Sequence, residues 1–341
     1  MEGIALERQI TEALAPDLLP IDLTKKDTES SRNLLEDGIR SVLPLPQNPL
    51  HSIANFHFRR FGKLLRGRTA LKVSTTVGIK RSVALNWALA IELMHNASLV
   101  HDDICDQDTN RHHHPTIFSA FGTPSAVCFG DWLVARSFEL AIKSVSSDKG
   151  VAAIGSLAAA MRFLSEGQSS EFNQIPVLNW SAYDEVVSKK TTPLLLAPIE
   201  GPLLISGRKE YLPSVQRVVR AMGRAYQISN DIRNAVGGGD GEVAFKDLQR
   251  RAPNAVLVSF RNLLINGHQT AFDEWMSSHG QDDLYYWKKE VINSSALEIC
   301  TDRFKDQINI CQRECDSLPS DLKAAFEPFL DFLDTRSSPH W

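Results

Sequence analysis

Three aspartates lie close together at the end of an apolar segment, where they can bind metal ions. Residues 84–100 are apolar and rich in helix formers, so they predict a buried helix that leads into Asp102, Asp103 and Asp106. Asp102 and Asp106 are four residues apart and share one face of that helix. Like charges this close repel unless a cation binds them or water solvates them. The pattern favours a site for Mg²⁺, completed by substrate phosphates, over a solvated helix end.

A basic segment with two glycines is the second chemical feature. Residues 55–68 are basic and aromatic, and they lead into an apolar helix predicted to begin near residue 69. The candidate residues of the segment are Gly62, Lys63, Arg66, Gly67 and Arg68. Glycines can adopt backbone conformations that other residues avoid, and cations near a helix start favour an anion there. A solvated basic turn is the alternative interpretation.

Four polar side chains share one face of a helix predicted over residues 213–235. They are Gln227, Asn230, Asp231 and Asn234. Their spacings of three, four and seven place them together, and only one is a carboxylate, so they offer oxygen ligands with little charge. The alternative is an ordinary polar helix surface. Residues 237–241 are glycine-rich and predict a flexible flap. They do not match a Rossmann phosphate loop, because no strand precedes them.

Helical periodicity dominates the chain and predicts an all-α bundle around a central cavity. The predicted helices cover residues 69–79, 82–106, 117–143, 150–172, 181–206, 213–235, 247–265, 284–315 and 319–335. Residues 1–22 predict a short amphipathic helix and a loop, and the prolines within 43–49 end any helix before them. We expect a single domain over residues 1–341, with an N-terminal extension over 1–48, a core over 50–260 and C-terminal helices over 261–341.

Composition excludes several classes of function. The chain has 341 residues, of which 43% are hydrophobic and 23% charged, and a net charge of −4 gives no electrostatic case for nucleic acid or an anionic membrane. We expect no apolar run long enough to span a bilayer, and the N-terminus is not that of a signal peptide. The five cysteines are scattered, which predicts reduced thiols and a cytoplasmic protein.

Taken in order, these features resemble the trans-isoprenyl diphosphate synthases, the polyprenyl synthetase family, over residues 50–260. Asp102–Asp106 resembles the family's first aspartate-rich motif, DDxxD, and Phe61–Arg66 resembles its Gly-Gly-Lys-x-x-Arg. Residues 227–234 stand where QxxDDxxD is expected. The other matching landmarks are His95, Arg111 with Pro115-Thr116, Gly130-Asp131, Gly167–Glu171 and Lys190-Thr191. One such motif would be weak, but eight landmarks in sequence order are strong.

The resemblance implies an isoprenoid synthase-type helical bundle and a homodimeric, Mg²⁺-dependent prenyltransferase acting on an allylic prenyl diphosphate. Two to three Mg²⁺ ions are expected, with Asp102, Asp106, Asn230 and Asp231 as ligands and Asp103 as a further catalytic residue. Positive charge for the departing diphosphate would come from Arg111, Lys190 and Lys246. Thr191 and Gln227 would steady the allylic cation.

The resemblance also implies where the acceptor and the donor tail bind. The diphosphate of the acceptor would contact Gly62, Lys63, Arg66, His95 and the position of His112. The donor tail would run past Ala97 and Ser98, whose small side chains predict a pocket for fifteen to twenty carbons or more. Aromatic rings at these two positions close the pocket in short-chain members of the family.

Several residues depart from the family pattern. His112 and His113 replace the second arginine and the glycine of the arginine signature. Asn230 and Asn234 replace two aspartates of the second motif, and Glu242 replaces a lysine that contacts the donor diphosphate. Asn230 also suits the metal triad of class I terpene cyclases, whose glutamate position is Gly238 here.

Four hypotheses follow from these matches and departures. The first is transfer of the prenyl group to a phosphorylated acceptor other than isopentenyl diphosphate, such as indole-3-glycerol phosphate, because the acceptor side has lost an arginine. The alternative is ordinary chain elongation with isopentenyl diphosphate, which the retained Lys63, Arg66 and His95 favour. A terpene cyclase and a non-catalytic partner subunit are the remaining two.

Overall fold

The structure is a computed structural model that describes residues 25–145, 148–173, 178–237, 244–278 and 283–335. It is all-α, as the sequence predicts. The helices are α1 Lys25–Val42, α2 His51–His57, α3 Leu65–Thr76, α4 Arg81–Cys105, α5 Ile117–Lys143, α6 Asp148–Asn173, α7 Trp180–Lys190, α8 Thr192–Ser206, α9 Leu212–Val236, α10 Lys246–Arg250, α11 Ala255–Leu263, α12 Asn266–Ser277, α13 Leu284–Asn293, α14 Ala296–Asp316, α15 Ser320–Ala324 and α16 Glu327–Asp334. A 3-10 turn covers Lys209–Tyr211.

One short hairpin is present in the described part of the chain. Strands β1 (Asn110–Arg111) and β2 (His114–Pro115) pair antiparallel, with Arg111 opposite His114. The two residues of the turn, His112 and His113, have φ of +48° and +62°. Left-handed backbone at both positions is what a two-residue hairpin turn requires, and it is unfavourable for residues other than glycine and asparagine.

The chain divides into two compact units. The first contains Met1–Ala159, Ala197–Leu212 and Ala324–Pro328, and the second contains Ala160–Leu196, Pro213–Lys323 and Phe329–Trp341. The expected single domain remains a prediction. The segment predicted over residues 1–22 lies outside the described residues.

Helix α4 is the centre of the first unit and packs against α1, α3 and α5. Its Trp87 is completely buried, and the indole Nε1 donates a hydrogen bond to the Ala197 carbonyl at 3.3 Å. A Cβ at Gly201 would lie 1.9 Å from the Trp87 ring, so only glycine fits beside it. This packing fixes the helix whose last turn carries the aspartates.

The second unit is built around α11, which packs against α7, α12, α13 and α14. Its Phe260 belongs to an aromatic cluster with Phe272 and Trp287, whose ring centroids lie 5.1 and 6.3 Å from that of Phe260. Burial of these rings anchors the helix whose N-terminus contacts the polar face of α9.

Helices α4 and α5 are long and apolar enough to cross a membrane by length and composition, with a mean hydropathy of 1.2 over 18 residues each. This departs from the expectation that no such run exists. In α4, 67% of that window is buried, but in α5 only 28% is buried. Buried core helices pass the same test, so the finding is weak evidence for a span.

Candidate active site

The three aspartates lie at the C-terminal end of α4, in the first unit, where the sequence predicts them. Asp103 is buried, and the Arg111 Nε donates to its Oδ1 at 2.8 Å. The same guanidinium donates from Nη2 to Asp102 Oδ2 at 3.2 Å. Burial raises the pKa of Asp103 to about 6, although Arg111 lowers it. Arg111 therefore compensates Asp103 directly, while Asp102 and Asp106 remain half-buried at the helix end.

The carboxylates suit a divalent cation by their chemistry. Among the described residues, no three His, Cys, Asp or Glu side chains converge into a preformed metal site. Mg²⁺ is commonly held by one or two carboxylates, with water and substrate phosphates completing its octahedral shell. The pair Asp102 and Asp106, one helical turn apart, fits that requirement. Metal binding there remains a prediction.

The residues expected to bind the acceptor lie at the start of α3 and in the middle of α4. The Arg66 Nη1 donates to His95 Nε2 at 3.1 Å, so the imidazole accepts and is neutral. Burial lowers the pKa of His95 well below 6.5, and the positive charges of Arg66 and Arg111 lower it further. Gly62 and Lys63 are exposed. This part of the first unit brings two cations close to one buried imidazole.

Two nearby residues were missed at the sequence level. Glu92 is buried and its Oε1 accepts from the Gly67 backbone N–H at 2.6 Å. The ring of His57 donates from Nε2 to Asn96 Oδ1 at 2.8 Å. The three-residue spacing from Glu92 to His95 on α4 is the one sequence signal that could have identified Glu92. The contacts of Glu92 with Gly67 and of His57 with Asn96 join segments that are distant in the sequence.

The special backbone conformation expected of the two glycines in this segment is not observed, while their role in binding an anion remains a prediction. The described glycines with positive φ are Gly78, Gly122, Gly207 and Gly237, so Gly62 and Gly67 are not among them. A Cβ at Gly67 would lie 2.7 Å from Glu92 Cγ, so that glycine is required for close approach. A Cβ at Gly62 would meet nothing within 4 Å. Helix α3 begins at Leu65, and Glu92 already binds an amide in its first turn.

The hairpin that carries the histidine run is basic. His112 and His113 are exposed at its turn. The His114 ring contacts the Arg60 guanidinium, and the positive charges of Arg60 and Arg59 lower the pKa of His114. An imidazole, that of His112, therefore takes the place of an arginine on this hairpin. Acceptor binding by His112 remains a prediction.

The Gly130-Asp131 landmark contacts α4 one residue before the aspartates. The His101 Nε2 lies 3.4 Å from Asp131 Oδ1, and a Cβ at Gly130 would lie 2.2 Å from the same nitrogen. Glycine at 130 therefore lets the imidazole pack directly on the backbone of α5. The contact holds the last turns of α4 against α5.

In the second unit, Thr191, Gln227 and Asp231 form one hydrogen-bonded chain. The Thr191 hydroxyl donates to Gln227 Oε1 at 3.0 Å, and Gln227 Nε2 donates to Asp231 Oδ1 at 2.9 Å. Asp231 Oδ2 accepts from the Tyr183 hydroxyl and from the Ala255 backbone N–H, both at 2.8 Å. Asp231 is 3% exposed, and burial raises its pKa to about 7 despite three donors. The family resemblance had implied that this carboxylate binds a metal ion.

Asn234, which replaces an aspartate of the second motif, contacts the chain beyond the glycine-rich loop. Its Oδ1 accepts from the Asp247 backbone N–H at 3.1 Å, and its carbonyl accepts from Phe245 N–H at 2.7 Å. Lys246 is the first residue of α10, directly after this contact. Asn230 is half-buried on α9. Gly238 and Glu242 lie outside the described residues.

Two glycines allow the helices of this unit to approach closely. A Cβ at Gly167 on α6 would lie 3.0 Å from the backbone N of Lys190, and one at Gly223 on α9 would lie 2.8 Å from Thr192 Oγ1. Lys190 ends α7 and Thr191 separates α7 from α8. These close approaches place Thr191 against α9. The side chain of Glu171 is not described.

Donor-tail positions on α4 are small and enclosed. Ala97 is completely buried and Ser98 is 8% exposed, and the Ser98 hydroxyl donates to the His95 carbonyl at 2.7 Å. A pocket beside them remains a prediction.

Comparison with known proteins identifies the family. A sequence model described as polyprenyl synthetase matches residues 47–284. A short chain isoprenyl diphosphate synthase of Methanothermobacter thermautotrophicus is 28% identical over 219 residues, 63% of this chain and 66% of that protein. A geranylgeranyl pyrophosphate synthase of Geoglobus acetivorans is 32% identical over 215 residues, 60% of this chain and 66% of that protein. The match thus spans just under two thirds of each relative.

Solved structures agree on the fold. The geranylgeranyl pyrophosphate synthetase of Pyrococcus horikoshii superposes with a TM-score of 0.78 at 22% identity, covering 92% of this chain and 98% of that one. The heptaprenyl diphosphate synthase of Staphylococcus aureus gives a TM-score of 0.79 at 16% identity, covering 92% and 99%. Because the family model covers well over half of the chain and the motifs lie on the expected helices, the chain belongs to the polyprenyl synthetase family.

Proposed function

We propose that the protein is a prenyltransferase that ionises an allylic prenyl diphosphate and couples the prenyl group to isopentenyl diphosphate. The observation that supports this proposal is that the first unit contains two separate groups of residues suited to diphosphates. It holds the Asp102 and Asp106 pair and, separately, the Arg66–His95 pair beside Arg111. A carboxylate pair suits a metal-bound diphosphate, and a neutral imidazole beside guanidinium groups suits a second, directly bound diphosphate. A chain-elongating enzyme binds two diphosphates of these kinds.

The first unit supplies carboxylates for the donor diphosphate, and the second unit supplies a polar chain of its own. Asp102 and Asp106 would hold Mg²⁺, which supplies Lewis-acid stabilisation of the departing diphosphate when bound. Arg111 neutralises Asp103, so the helix end does not repel a second anion as three bare carboxylates would. Thr191 and Gln227 present oxygen atoms, which stabilise a developing allylic cation.

The acceptor side follows from Arg66 and His95. A guanidinium binds a diphosphate through planar, bidentate hydrogen bonds, and a neutral imidazole adds one directional contact. The first hypothesis from the sequence was an acceptor other than isopentenyl diphosphate. The names of the relatives, which are isoprenyl and geranylgeranyl diphosphate synthases, favour the alternative of chain elongation. Nothing on the hairpin or on α3 favours indole-3-glycerol phosphate over isopentenyl diphosphate.

Product length follows from the small residues of α4. Ala97 and Ser98 leave room where an aromatic ring would end a short pocket, so we propose a product of fifteen to twenty carbons or more. Each buried methylene adds about 0.8 kcal/mol, which favours a donor long enough to fill the pocket. The relative from Geoglobus acetivorans bears the name of a twenty-carbon synthase.

A second copy of the chain is the partner that we propose. Helix α5 is apolar over most of its length but largely exposed, with Phe121, Val127 and Ile142 at 36%, 40% and 59% exposure. Covering such a helix against its counterpart would remove apolar surface from water. The cytoplasmic location expected from the cysteines stays a prediction.

The proposal is tested by incubating the purified protein with farnesyl diphosphate, radiolabelled isopentenyl diphosphate and Mg²⁺. We expect a labelled twenty-carbon diphosphate from the wild type and none from Asp102→Asn, which keeps the size of the side chain but removes its charge. Released diphosphate without a labelled prenyl product would refute coupling to isopentenyl diphosphate. A labelled product from Asp102→Asn equal to that of the wild type would refute the metal site.

A further inference from the structure

The hydrogen bonds around Asp231 commit both of its oxygens. Oδ2 accepts from Tyr183 and Ala255 N–H, each at 2.8 Å, and Oδ1 accepts from Gln227 Nε2 at 2.9 Å. The side chain is 3% exposed. Ala255 is the first residue of α11, so the carboxylate also lies at the positive end of a helix. Protein donors therefore occupy both of the oxygens that a metal ion would bind.

The environment of Tyr183 fixes the donor on Oδ2. Its side chain is 5% exposed, and the Trp180 ring packs edge-to-face against it with centroids 5.5 Å apart. Arg303 stacks on Trp180 with its guanidinium carbon 3.9 Å from the ring centroid. Burial raises the pKa of Tyr183 well above 10, so the hydroxyl keeps its proton and donates.

The hydrogen bond to Asp231 fixes the orientation of the Gln227 amide. Asp231 Oδ1 accepts from Gln227 Nε2, so the –NH₂ end of the amide faces Asp231 and Oε1 faces Thr191. The Thr191 hydroxyl donates to that oxygen, which is consistent with the same orientation. A flipped amide would set two oxygens against each other at Asp231. The negative end of the amide dipole is therefore fixed on the Thr191 side.

We propose that Asp231 and Tyr183 are positioning residues that hold the Gln227 carbonyl oxygen toward Thr191, and that Asp231 does not bind a metal ion. This inference rests on the proposed function, in which Thr191 and Gln227 stabilise an allylic cation. An oxygen fixed in advance stabilises positive charge without reorganisation, whereas an –NH₂ group in its place opposes it. On α9, Asn230 then remains the candidate metal ligand.

The central experiment exchanges the polarity of one hydrogen bond. In Asp231→Asn the new amide keeps its oxygen toward Tyr183 and Ala255, so its –NH₂ group faces Gln227 and flips that amide. We expect kcat to fall about 100-fold, as when one preorganised electrostatic group is lost. The double variant Asp231→Asn/Gln227→Glu restores an oxygen facing Thr191 and keeps the charge of the pair. We expect it to recover kcat to within about 10-fold of the wild type.

Magnesium titration and thermal unfolding distinguish a positioning role of Asp231 from metal binding and from a purely structural role. We expect the Mg²⁺ concentration at half-maximal rate to stay unchanged in Asp231→Asn, and the Tm lost in that variant to return in the double variant. A raised Mg²⁺ requirement in Asp231→Asn, or a double variant no more active than the single one, would overturn the inference. Because Tm is measured without substrate, the hydrogen-bond exchange has a readout independent of turnover.

Tyr183→Phe gives a milder test that retains the fold. Loss of one of three donors should lower kcat by about 3- to 10-fold, the net effect of one typical intramolecular hydrogen bond, with the Mg²⁺ requirement unchanged. Tyr285→Phe removes a hydroxyl from a residue that is 81% exposed and is the matched control. Equal kcat in Tyr183→Phe and Tyr285→Phe would overturn the role of Tyr183. An inactive wild type would instead overturn the proposed function, and this inference with it.

Discussion

Acid should destabilise the protein through His57, whose ring becomes partly buried on folding. Burial and the charge of Arg111 lower the pKa of His57 to about 4, although its hydrogen bond to Asn96 raises it. In the unfolded chain the pKa of a histidine is about 6.5. Between these two values the unfolded chain binds more protons than the folded one, so stability falls as the pH is lowered from 6.5 toward 4.

The size of this effect follows from the two pKa values. At 1.36 kcal/mol per pKa unit, the difference corresponds to an upper limit of about 3 kcal/mol, lost across that pH range. Partial exposure of the ring brings the expected loss closer to 2 kcal/mol, as solvent screens the buried charge. His57→Gln keeps a donor for Asn96 but does not titrate. We therefore expect the variant to lose less stability than the wild type on acidification, by about 2 kcal/mol.

Urea unfolding, followed by circular dichroism at several pH values from 4 to 7, measures this difference. His268→Gln removes an exposed histidine on α12 and is the matched control. Identical pH dependence of the unfolding free energy in the wild type and in His57→Gln would refute the reasoning. Identical pH dependence would mean that His57 is already protonated in the folded protein.

Three further predictions concern the first unit. Asp106→Ala should abolish turnover while leaving the circular dichroism spectrum unchanged, because it removes one carboxylate of the candidate metal pair; wild-type rates would contradict this. His112→Arg should lower the KM for isopentenyl diphosphate by about tenfold, since an arginine adds charge-assisted hydrogen bonds worth 1 kcal/mol or more; steady-state kinetics would show it, and an unchanged KM would mean that the histidine already suffices. Ala97→Phe should shift the preferred donor from farnesyl and geranylgeranyl toward geranyl diphosphate, as measured by competition between the three. Overpacking this buried site should cost about 1–3 kcal/mol of stability. An unchanged preference would show that the donor tail does not run past this position.

Long helices with one uninterrupted apolar pattern could be predicted from the sequence. The helix predicted over 117–143 is observed as Ile117–Lys143, with a kink at Gly122 where the backbone is not helical, and the one over 213–235 is observed as Leu212–Val236. The helix predicted over 181–206 is instead two helices that meet at Thr191. Lys189 and Lys190 followed by Thr192 and Pro193 mark this break in the sequence, but the prediction followed the apolar pattern and passed over it.

Three more of the predicted helices are each divided. The segment 247–265 corresponds to α10 and α11, 284–315 to α13 and α14, and 319–335 to α15 and α16. Asn254 and Ser295 stand at the N-caps of α11 and α14, and Asn254 caps with its side chain. Such caps are readable in a sequence, but only the tertiary contacts select them from the other Asn and Ser residues.

The roles of individual site residues depend on contacts that spacing does not reveal. Gln227 and Asp231 could be assigned to one helix face, since they are four residues apart. Tyr183 and Ala255 lie 48 and 24 residues from Asp231, and no periodicity connects them. The sequence therefore identified Asp231 as chemically important but could not show that its oxygens are occupied by protein donors. Glu92 and Gly67 are a similar case in the first unit.

The most direct test of chain elongation is a competition between acceptors. Labelled geranylgeranyl and farnesyl diphosphates are each supplied with equal concentrations of isopentenyl diphosphate and indole-3-glycerol phosphate, in the presence of Mg²⁺. Elongation with isopentenyl diphosphate predicts that the label appears in a prenyl diphosphate one isoprene unit longer than the donor. Label in a prenylated indole, with isopentenyl diphosphate left unconsumed, would contradict it.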